Sequence, residues 1–415
     1  MLWQPSLPSS YLSMSEADLG HAIEDRRRRL GDRLVILGHH YQVDEVIRHA
    51  DYTGDSLKLS QLAADLAEEK PIEHVIFCGV HFMAETADML TPEHVRVLLP
   101  DLSAGCSMAD MAAYDETTEA WEIIHEALDL EHGGSWHGRV IPITYVNSSA
   151  AIKAFVGSHE GACCTSSNAS RVFEWAMNGG VRPREPGEEI KILFLPDQHL
   201  GRNTAAAHGI DVASHTCVYD PKQTARGEPF GGTTSEQIAA SNVILWAGHC
   251  SVHKLFRPEH CDEIRAANGR LDADTAPMRI MVHPECAKEV VDKSDLSGST
   301  ERIIREIESS PPGSRWAVGT EFHLVNRLAN RMRARGVEVR ILSDCQCLCT
   351  TMYRIDEPHL LWTLDGLLGI GTGPDGEDGP PISRNQISVH PEVAEPARLA
   401  LNRMLALPAN APAPA

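Results

Sequence analysis

The fold is decided by the stretch Arg33-Leu34-Val35-Ile36-Leu37-Gly38-His39-His40-Tyr41 (33–41), in which an apolar run ends in polar and aromatic side chains. Two later stretches have the same form, RVIPITYVN at 139–147 and MRIMVHPE at 278–285. A short apolar run bounded by turn residues is typical of a strand buried on both faces of a parallel sheet. The three stretches therefore predict an α/β protein in which polar groups follow each strand.

Further strands extend this pattern into a possible threefold repeat. Each stretch is followed by a second predicted strand (74–77, 161–164 and 316–318) and by a later one (95–99, 243–246 and 337–342). The later strands lead toward Cys106, Cys250 and the run Cys345-Gln346-Cys347-Leu348-Cys349. Ligands of parallel α/β sheets bind beyond the carboxyl ends of the strands, so three such units facing one axis would bring these groups together. Chance similarity among short apolar runs is the alternative explanation.

Composition excludes several classes of protein. The 37 basic and 58 acidic residues give a formal net charge of −21, which argues against binding nucleic acid through bulk charge. The chain has no run of 18 apolar residues, and its first residues lack the pattern of a signal peptide, so we expect a cytoplasmic protein without a membrane span. Eleven cysteines, an odd number in a long chain, indicate thiols of which some are ligands.

A chain of 415 residues exceeds what one hydrophobic core supports, so several domains are predicted. We predict a helical lead-in at 1–30, with a helix from Ser15 to Leu30, and a disordered Pro/Ala-rich tail at 408–415. Between them we predict three α/β domains, with the C-terminal helices of 356–407 packing on the first; the domains are 31–118, 119–262 and 263–355.

The cysteines lie in surroundings that suit a metal or a cluster. Cys106 follows Ala104-Gly105, and Cys250 follows Gly248-His249, so small residues leave room for a bulky inorganic group. An isolated cysteine is more often a small buried side chain. Three thiols within 345–349 are harder to explain in that way, and a C-x-C-x-C run suits a soft metal or an iron–sulfur site. The run lacks the C-x-x-C pairs of a zinc ribbon.

Three Ser/Thr-rich segments predict helix starts that could bind anions, namely GDSL at 54–57, CCTSSN at 163–168 and GSTE at 298–301. Hydroxyls and backbone amides at a helix start bind phosphate or carboxylate without Lys or Arg. Tyr41, His283 and Glu285 add groups that suit acid–base chemistry.

These motifs together resemble the quinolinate synthase family, iron–sulfur enzymes of NAD biosynthesis, from about residue 34 to 356. The resemblance implies three similar three-layer α/β/α domains with short parallel sheets, related by pseudo-threefold symmetry around one [4Fe-4S] cluster per chain. Three cysteines then ligate the cluster, and the fourth iron stays open for substrate. The motifs that carry it are GHHYQ (38–42), FMAETA (82–87), AGCSMAD (104–110), YVNSSA (145–150), CTSSNA (164–169), LPDQHLG (195–201), WAGHCSVH (246–253), VHPEC (282–286), GSTERI (298–303) and GTE (319–321).

The resemblance also implies roles for single residues. The cluster ligands are Cys106, Cys250 and Cys349, with Cys347 as the alternative to the last. Ser167 stays an alternative to Ser166, because extra residues at 131–139, 158–162, 201–237 and 266–278 look like loop insertions. The implied catalytic residues are Tyr41, His253, His283 and Glu285, and the implied substrate-binding residues are His39, Ser56, Tyr145, Asn147, Ser166, His283, Glu285 and Thr300.

The implied reaction condenses iminoaspartate with dihydroxyacetone phosphate to give quinolinate, phosphate and two waters. An oxidase or a dehydrogenase would supply the iminoaspartate. Two other classes stay open at this point: a sensor that binds a cluster or zinc without activity, and an aconitase-like hydro-lyase with the same open iron. Retention of Tyr41, His283 and Glu285 argues against the sensor, and the phosphate-suited hydroxyls favour the synthase over the hydro-lyase.

Overall fold

The structure, a computed structural model, describes residues 4–272 and 275–407. The predicted tail at 408–415 lies outside the described residues. The chain forms two compact units, each built from segments distant in sequence. The first comprises Met1–Cys106, Glu321–Arg327 and Leu348–His390, and the second comprises Ser107–Thr320, Leu328–Cys347 and Pro391–Ala415.

The first unit contains one five-stranded sheet. Four of its strands are parallel, and the first of them, β1, lies within the apolar run at 33–41 and is buried along its whole length. The fifth strand comes from the C-terminal part of the chain and pairs antiparallel with β4, an edge that the sequence did not predict. The strands are β1 (Leu34–His39), β2 (Tyr52–Gly54), β3 (His74–Cys78), β4 (Arg96–Leu98) and β14 (Gln386–Ile387), in the order β2-β1-β3-β4-β14.

The second unit contains two sheets in which every strand pair is parallel. One has the order β6-β5-β7-β9-β8, with strands β5 (Arg139–Tyr145), β6 (Ala162–Cys164), β7 (Ile190–Leu195), β8 (Thr216–Tyr219) and β9 (Val243–Trp246). The other has the order β11-β10-β12-β13, with strands β10 (Arg279–Val282), β11 (Leu296–Ser297), β12 (Arg315–Gly319) and β13 (Glu338–Ile341).

The three sheets share one strand order. In each, the second strand in sequence and the third flank the first, and a cysteine-bearing loop follows the strand on the far side of the third, which is β4, β9 or β13. The predicted α/β class with short parallel sheets is thereby confirmed. The predicted ranges 119–262 and 263–355 each contain one whole sheet, and 31–118 contains the four parallel strands of the first sheet but not β14. The domain boundaries themselves stay a prediction.

Two details of the predicted repeat were wrong. The sequence matched 161–164 with 74–77 and 316–318, but β6 is the counterpart of the edge strands β2 and β11. The counterpart of β3 and β12 is β7. Strands of two or three residues carry too little periodicity to reveal such positions. The stretch 201–237, expected as a loop insertion, contains β8, which extends the sheet at its edge.

The helices flank the sheets. Helix α2 begins after the N-cap Ser15, whose side chain accepts a hydrogen bond from the Asp18 amide, so the predicted helix at 15–30 is confirmed. None of the described helices is long and apolar enough to span a bilayer. The helices are α1 (Ser9–Leu12), α2 (Glu16–Leu30), α3 (Asp44–Ile47), α4 (Ser56–Glu69), α5 (His81–Leu90), α6 (Tyr114–Glu131), α7 (Ala150–Ser158), α8 (Ala169–Met177), α9 (Gln198–Ala207), α10 (Pro221–Thr224), α11 (Ser235–Ala240), α12 (Pro258–Asn268), α13 (Lys288–Lys293), α14 (Thr300–Glu308), α15 (Phe322–Arg333), α16 (Glu357–Leu368) and α17 (Pro391–Leu405).

The two C-terminal helices pack in different places. Helix α16 packs against α2, whereas α17, which we also expected on the first domain, packs against α7 and β6 in the second unit. Arg403 on α17 donates hydrogen bonds to the carbonyl oxygens of Gly157 (3.1 Å) and Gly161 (2.6 Å). The absence of a side chain at Gly157 lets the α17 backbone approach, because a Cβ there would overlap the Pro396 carbonyl.

Gly157→Ala is expected to force α17 away from α7 and to lower the free energy of unfolding by about 1–3 kcal/mol, the usual cost of overpacking. Thermal unfolding of the full chain measures this. Gly269→Ala is the matched control, because a Cβ at Gly269 meets nothing closer than 3.6 Å. Equal melting temperatures of the two variants would contradict the close packing of α17.

Candidate functional site

A compact group of potential ligands lies in the second unit, at the carboxyl ends of β9 and β10. One ligand atom from each of Cys250, His253 and Glu285 lies within 4.8 Å of the other two. The Nδ1 atom of His253 is 2.9 Å from Oε2 of Glu285, and both side chains are almost fully buried. A partly exposed thiol that meets a buried imidazole and a buried carboxylate suits a metal or a proton-transfer site.

His283 completes this group as a neutral imidazole. Its ring stacks on that of His253, with centroids 4.5 Å apart and planes 19° apart. Burial lowers the pKa of His283 to about 3, although the nearby Glu285 charge acts in the opposite direction. The Glu285 amide lies 3.4 Å from Nδ1 of His283 and donates to it, which assigns the ring proton to Nε2. His283 is therefore a hydrogen-bond donor through Nε2.

Glu285 is held as a carboxylate. Burial alone would raise its pKa, but the imidazoles of His253 and His283 and a hydrogen bond from the Tyr145 hydroxyl outweigh burial and lower it. Tyr145 is the last residue of β5 and is itself buried. A buried carboxylate with these neighbours is a candidate general base.

Tyr145→Phe is expected to raise the pKa of Glu285 and to lower turnover by about 10-fold or more, because a hydrogen bond to a charged group contributes roughly 1.5–3 kcal/mol. The acidic limb of the pH–rate profile should move to higher pH. Tyr219→Phe is the control, since the Tyr219 hydroxyl, on β8, shares a hydrogen bond of 2.8 Å with the Thr224 hydroxyl, and no role in the site is proposed for either residue. An unmoved acidic limb would remove Tyr145 from the site.

Two residues next to this group carry no role in the sequence analysis. Asp197, which follows β7 and is fully buried, accepts hydrogen bonds from the amides of His199 and Leu200 (both 2.7 Å) and of Cys250 (3.2 Å). Burial and the charge of Glu285 raise its pKa, so negative charge is held more firmly on Glu285. Thr320 places its hydroxyl 3.2 Å from Nε2 of His253. An acid directly after an apolar strand was the signal available in the LPDQHLG motif.

The predicted anion-binding positions of the second unit lie at helix starts. Thr300 is the buried first residue of α14, behind the N-cap Ser299. Ser166 is half-buried in the turn that opens α8, whereas Ser167 is exposed, which favours Ser166 of the two alternatives. Asn147 follows β5, and its buried Oδ1 atom has no hydrogen-bond partner. A buried acceptor without a donor is costly, so Asn147 fits a position that a ligand donor completes.

In the first unit, the predicted residues lie at the carboxyl ends of β1 and β2. His39 is buried, accepts a hydrogen bond from the Tyr41 amide through Nδ1 (3.2 Å) and meets the Tyr41 ring edge-to-face at 4.8 Å. Ser56 is the buried first residue of α4. Arg327, which the sequence analysis missed, donates to the carbonyl oxygens of His40 (3.0 Å) and Gln42 (2.5 Å) and so fixes this loop.

The cysteines differ in burial. Cys106, Cys250 and Cys349 are partly exposed, as thiols that line a site would be. Cys347 is buried, with its Sγ atom 3.3 Å from the Ser343 hydroxyl, and Cys345 is exposed. Beyond these loops, burial raises the pKa of Cys78 and of Cys163 to about 12, which is typical of inert core thiols.

Glu321 lies beside the last cysteine loop. Its carboxyl group is fully buried, accepts a hydrogen bond from the Leu324 amide (3.2 Å) and faces the amides of His323 and Cys349 as further donors. Burial raises its pKa to about 8 in spite of these donors, and its Oε1 atom has no partner. The motif GTE (319–321) contains Glu321, but the sequence predicted no role for its carboxyl group.

The fold and these strand-end residues define a class: an α/β protein whose site combines a thiol that suits a soft metal with buried acid–base groups. Comparison with known proteins is more specific. A family model described as quinolinate synthetase A protein matches residues 21–406. The chain belongs to the quinolinate synthetase A family, whose members are enzymes, and the resemblance stated from the sequence is confirmed.

Several relatives named quinolinate synthase are similar over nearly their whole length. That of Acidobacterium capsulatum is 49% identical over 395 residues, which cover 95% of this chain and 94% of the relative. That of Streptomyces coelicolor is 46% identical over 402 residues, 97% of this chain and 91% of the relative. That of Geobacillus sp. strain WCH70 is 47% identical over 401 residues, 97% and 96% respectively.

Proposed function

We propose that this enzyme condenses iminoaspartate with dihydroxyacetone phosphate to quinolinate, with release of inorganic phosphate and two waters, as a step of NAD biosynthesis. The observation that carries the proposal is the group of Cys250, His253, His283 and Glu285 at strand ends, in a chain of this family. It joins a soft ligand to two imidazoles and a carboxylate, which are groups that can move the protons in the loss of two waters.

We propose one [4Fe-4S] cluster per chain, held by Cys106, Cys250 and Cys349. The donor chemistry fits, because each thiol is partly exposed in a Gly-flanked or turn segment, whereas the alternative Cys347 is buried and bonded to Ser343. When bound, a cluster with three thiolate ligands supplies one open iron as a Lewis acid. A single zinc ion on Cys250, His253 and Glu285 is the competing occupant, and metal analysis separates the two.

The side chains of the site would move the protons of the reaction. Glu285, ionised and buried, accepts a proton from carbon in the enolisation steps, and His253 holds its second oxygen in place at 2.9 Å. His283 donates a hydrogen bond through Nε2 to a carbonyl or carboxylate oxygen of the substrate. Tyr41 is the proposed acid–base group of the first unit, oriented by its backbone hydrogen bond to His39.

In this proposal, uncharged hydrogen-bond donors bind the anionic substrates. We propose that His39, Ser56, Tyr145, Asn147, Ser166 and Thr300 hold the phosphate and the carboxylates, together with backbone amides at the starts of α4, α8 and α14. Uncharged donors bind a product with two carboxylates without retaining it as a salt bridge would. The unpartnered Oδ1 of Asn147 would accept a hydrogen bond from the imine or hydroxyl of a substrate.

The reactants also define partners. Iminoaspartate is an unstable imine, so we propose that an oxidase or a dehydrogenase acting on aspartate supplies it. We place the reaction in the cytoplasm, where thiols such as those of Cys78 and Cys163 stay reduced.

The test is metal analysis of protein purified without oxygen, followed by turnover with dihydroxyacetone phosphate and freshly made iminoaspartate. Roughly four irons and four sulfides per chain with quinolinate formation support the proposal. Zinc in place of iron, with no uptake on anaerobic reconstitution, refutes the cluster. A loaded cluster that dehydrates a hydroxy acid but forms no quinolinate favours the hydro-lyase.

A further inference from the structure

The cysteine loops of the first two sheets are tied to helix starts in the same way. The first residue of α5, His81, donates its amide to the carbonyl oxygen of Ala104 at 2.8 Å. The amide of Gln198, the first residue of α9, donates a hydrogen bond to the carbonyl oxygen of Gly248 at 3.0 Å. Each acceptor lies two residues before a proposed cluster ligand, Cys106 or Cys250. The helices follow equivalent strands, β3 and β7, so the contact repeats with the topology.

At the residue before the helix, two of the three repeats carry a buried acid. Asp197 directly precedes α9, and Glu321 directly precedes α15, the helix that follows β12. Each caps its helix through a backbone amide, and Asp197 also accepts a hydrogen bond from the Cys250 amide at 3.2 Å. The second carboxyl oxygen of Glu321, Oε1, is buried and has no hydrogen-bond partner. In the first repeat this position is Val80, which makes no side-chain cap.

We propose that Asp197 is a positioning residue for the cluster, because it shares one carboxyl group between a helix start and the backbone amide of Cys250, and that Glu321, the equivalent buried acid of its repeat, serves the loop of Cys349 through its unpartnered Oε1 atom. This inference rests on the proposed function, because it takes Cys250 and Cys349 as ligands.

The physical reason lies in the geometry of the shared acceptor. A loop that bonds only to solvent can shift by more than the tolerance of an iron–sulfur bond, whereas Cys250 can shift only by breaking a hydrogen bond to a buried carboxyl that two other amides fix. Partners of metal ligands hold the ligands in orientation and raise the affinity of the site.

Asp197→Asn separates the two functions of this side chain. The amide oxygen of asparagine still accepts from His199 and Leu200, but its nitrogen has no lone pair for the Cys250 amide. Full-length protein is reconstituted without oxygen, and release of iron to a ferrous chelator is followed by absorbance. We expect release about 10-fold faster or more than from the wild-type protein. Glu321→Gln is expected to act in the same direction on the loop of Cys349.

Asp220→Asn is the matched control. Asp220 is the N-cap of α10 and accepts from the Lys222 amide at 3.0 Å, in a segment that carries no proposed ligand. Its iron release should equal that of wild type. The melting temperatures of the cluster-free proteins show whether a variant has lost its helix cap, which would lower the stability of the fold itself. If one variant fails to fold, the other still tests the loop of its own cysteine.

The outcomes are distinct. Iron release within twofold of wild type from both folded variants overturns the positioning role but leaves the proposed function standing. Wild-type protein that takes up no cluster refutes the proposed function and this inference with it. Faster release from Asp197→Asn and Glu321→Gln, with an unchanged control, supports both.

Discussion

Cys250→Ala protein is expected to lose its cluster and at least about 1,000-fold of its quinolinate-forming activity. Removal of one thiolate from a site with three leaves too few protein ligands to hold the iron. The fold should survive, because the Asp197 contact uses the Cys250 backbone amide, which alanine retains. Iron and sulfide content per chain, measured after anaerobic reconstitution, reports the loss directly.

Cys217→Ala is the control for this experiment. Cys217 is a buried thiol on β8, and no role in the site is proposed for it. Its variant should keep roughly four irons per chain. A Cys250→Ala protein that retains both cluster and turnover would show that Cys250 is not a ligand.

Glu285→Gln is expected to lower turnover by about 100- to 10,000-fold while the cluster stays bound, the range for loss of a positioned general base. Glutamine has a similar shape, so His253 and Tyr145 keep a partner, but it cannot accept a proton from carbon. Turnover per cluster, rather than per chain, is the quantity to compare. Glu289→Gln serves as the control, since Glu289 is exposed on the following helix, α13.

The pH dependence of stability provides a second readout for Glu285. Its pKa is lower in the folded chain than the ordinary value of about 4.3, so the carboxylate stabilises the fold above that pH and loses its contribution as the pH falls. The difference in unfolding free energy between wild type and Glu285→Gln should therefore shrink below about pH 4. A difference that grows on acidification would mean that Glu285 is protonated in the native protein.

Much of the fold could be predicted from the sequence alone, because the central strands have an unambiguous pattern. Buried parallel strands such as β1, β5 and β10 contain short continuous apolar runs that end in polar side chains. The edge strands β2, β6 and β11 span two or three residues and are set by their neighbours, so the sequence either missed them or assigned one to the wrong position. Helix α17 was misplaced for a related reason, since its docking depends on Gly157, a residue without a pattern of its own.

The residues of the site likewise divide into those that the sequence could reveal and those that it could not. His283 and Glu285 could be found because polar groups directly after a buried strand face the ligand edge of a parallel sheet. Asp197, Thr320 and Arg327 could not be assigned a role, because each contacts a backbone amide, an imidazole or a carbonyl that is distant in sequence.

The sequence by itself determined the α/β class, the strand ends that carry polar groups, the cysteine loops and the family. These depend on local periodicity and on residue types at fixed spacing, which a linear chain displays. Only the tertiary structure decided that His253 and His283 stack, that Glu285 is ionised while His283 is neutral, and that Asp197 supports Cys250. Charge states and shared hydrogen bonds depend on burial and on neighbours brought together by folding, and no spacing along the chain encodes them.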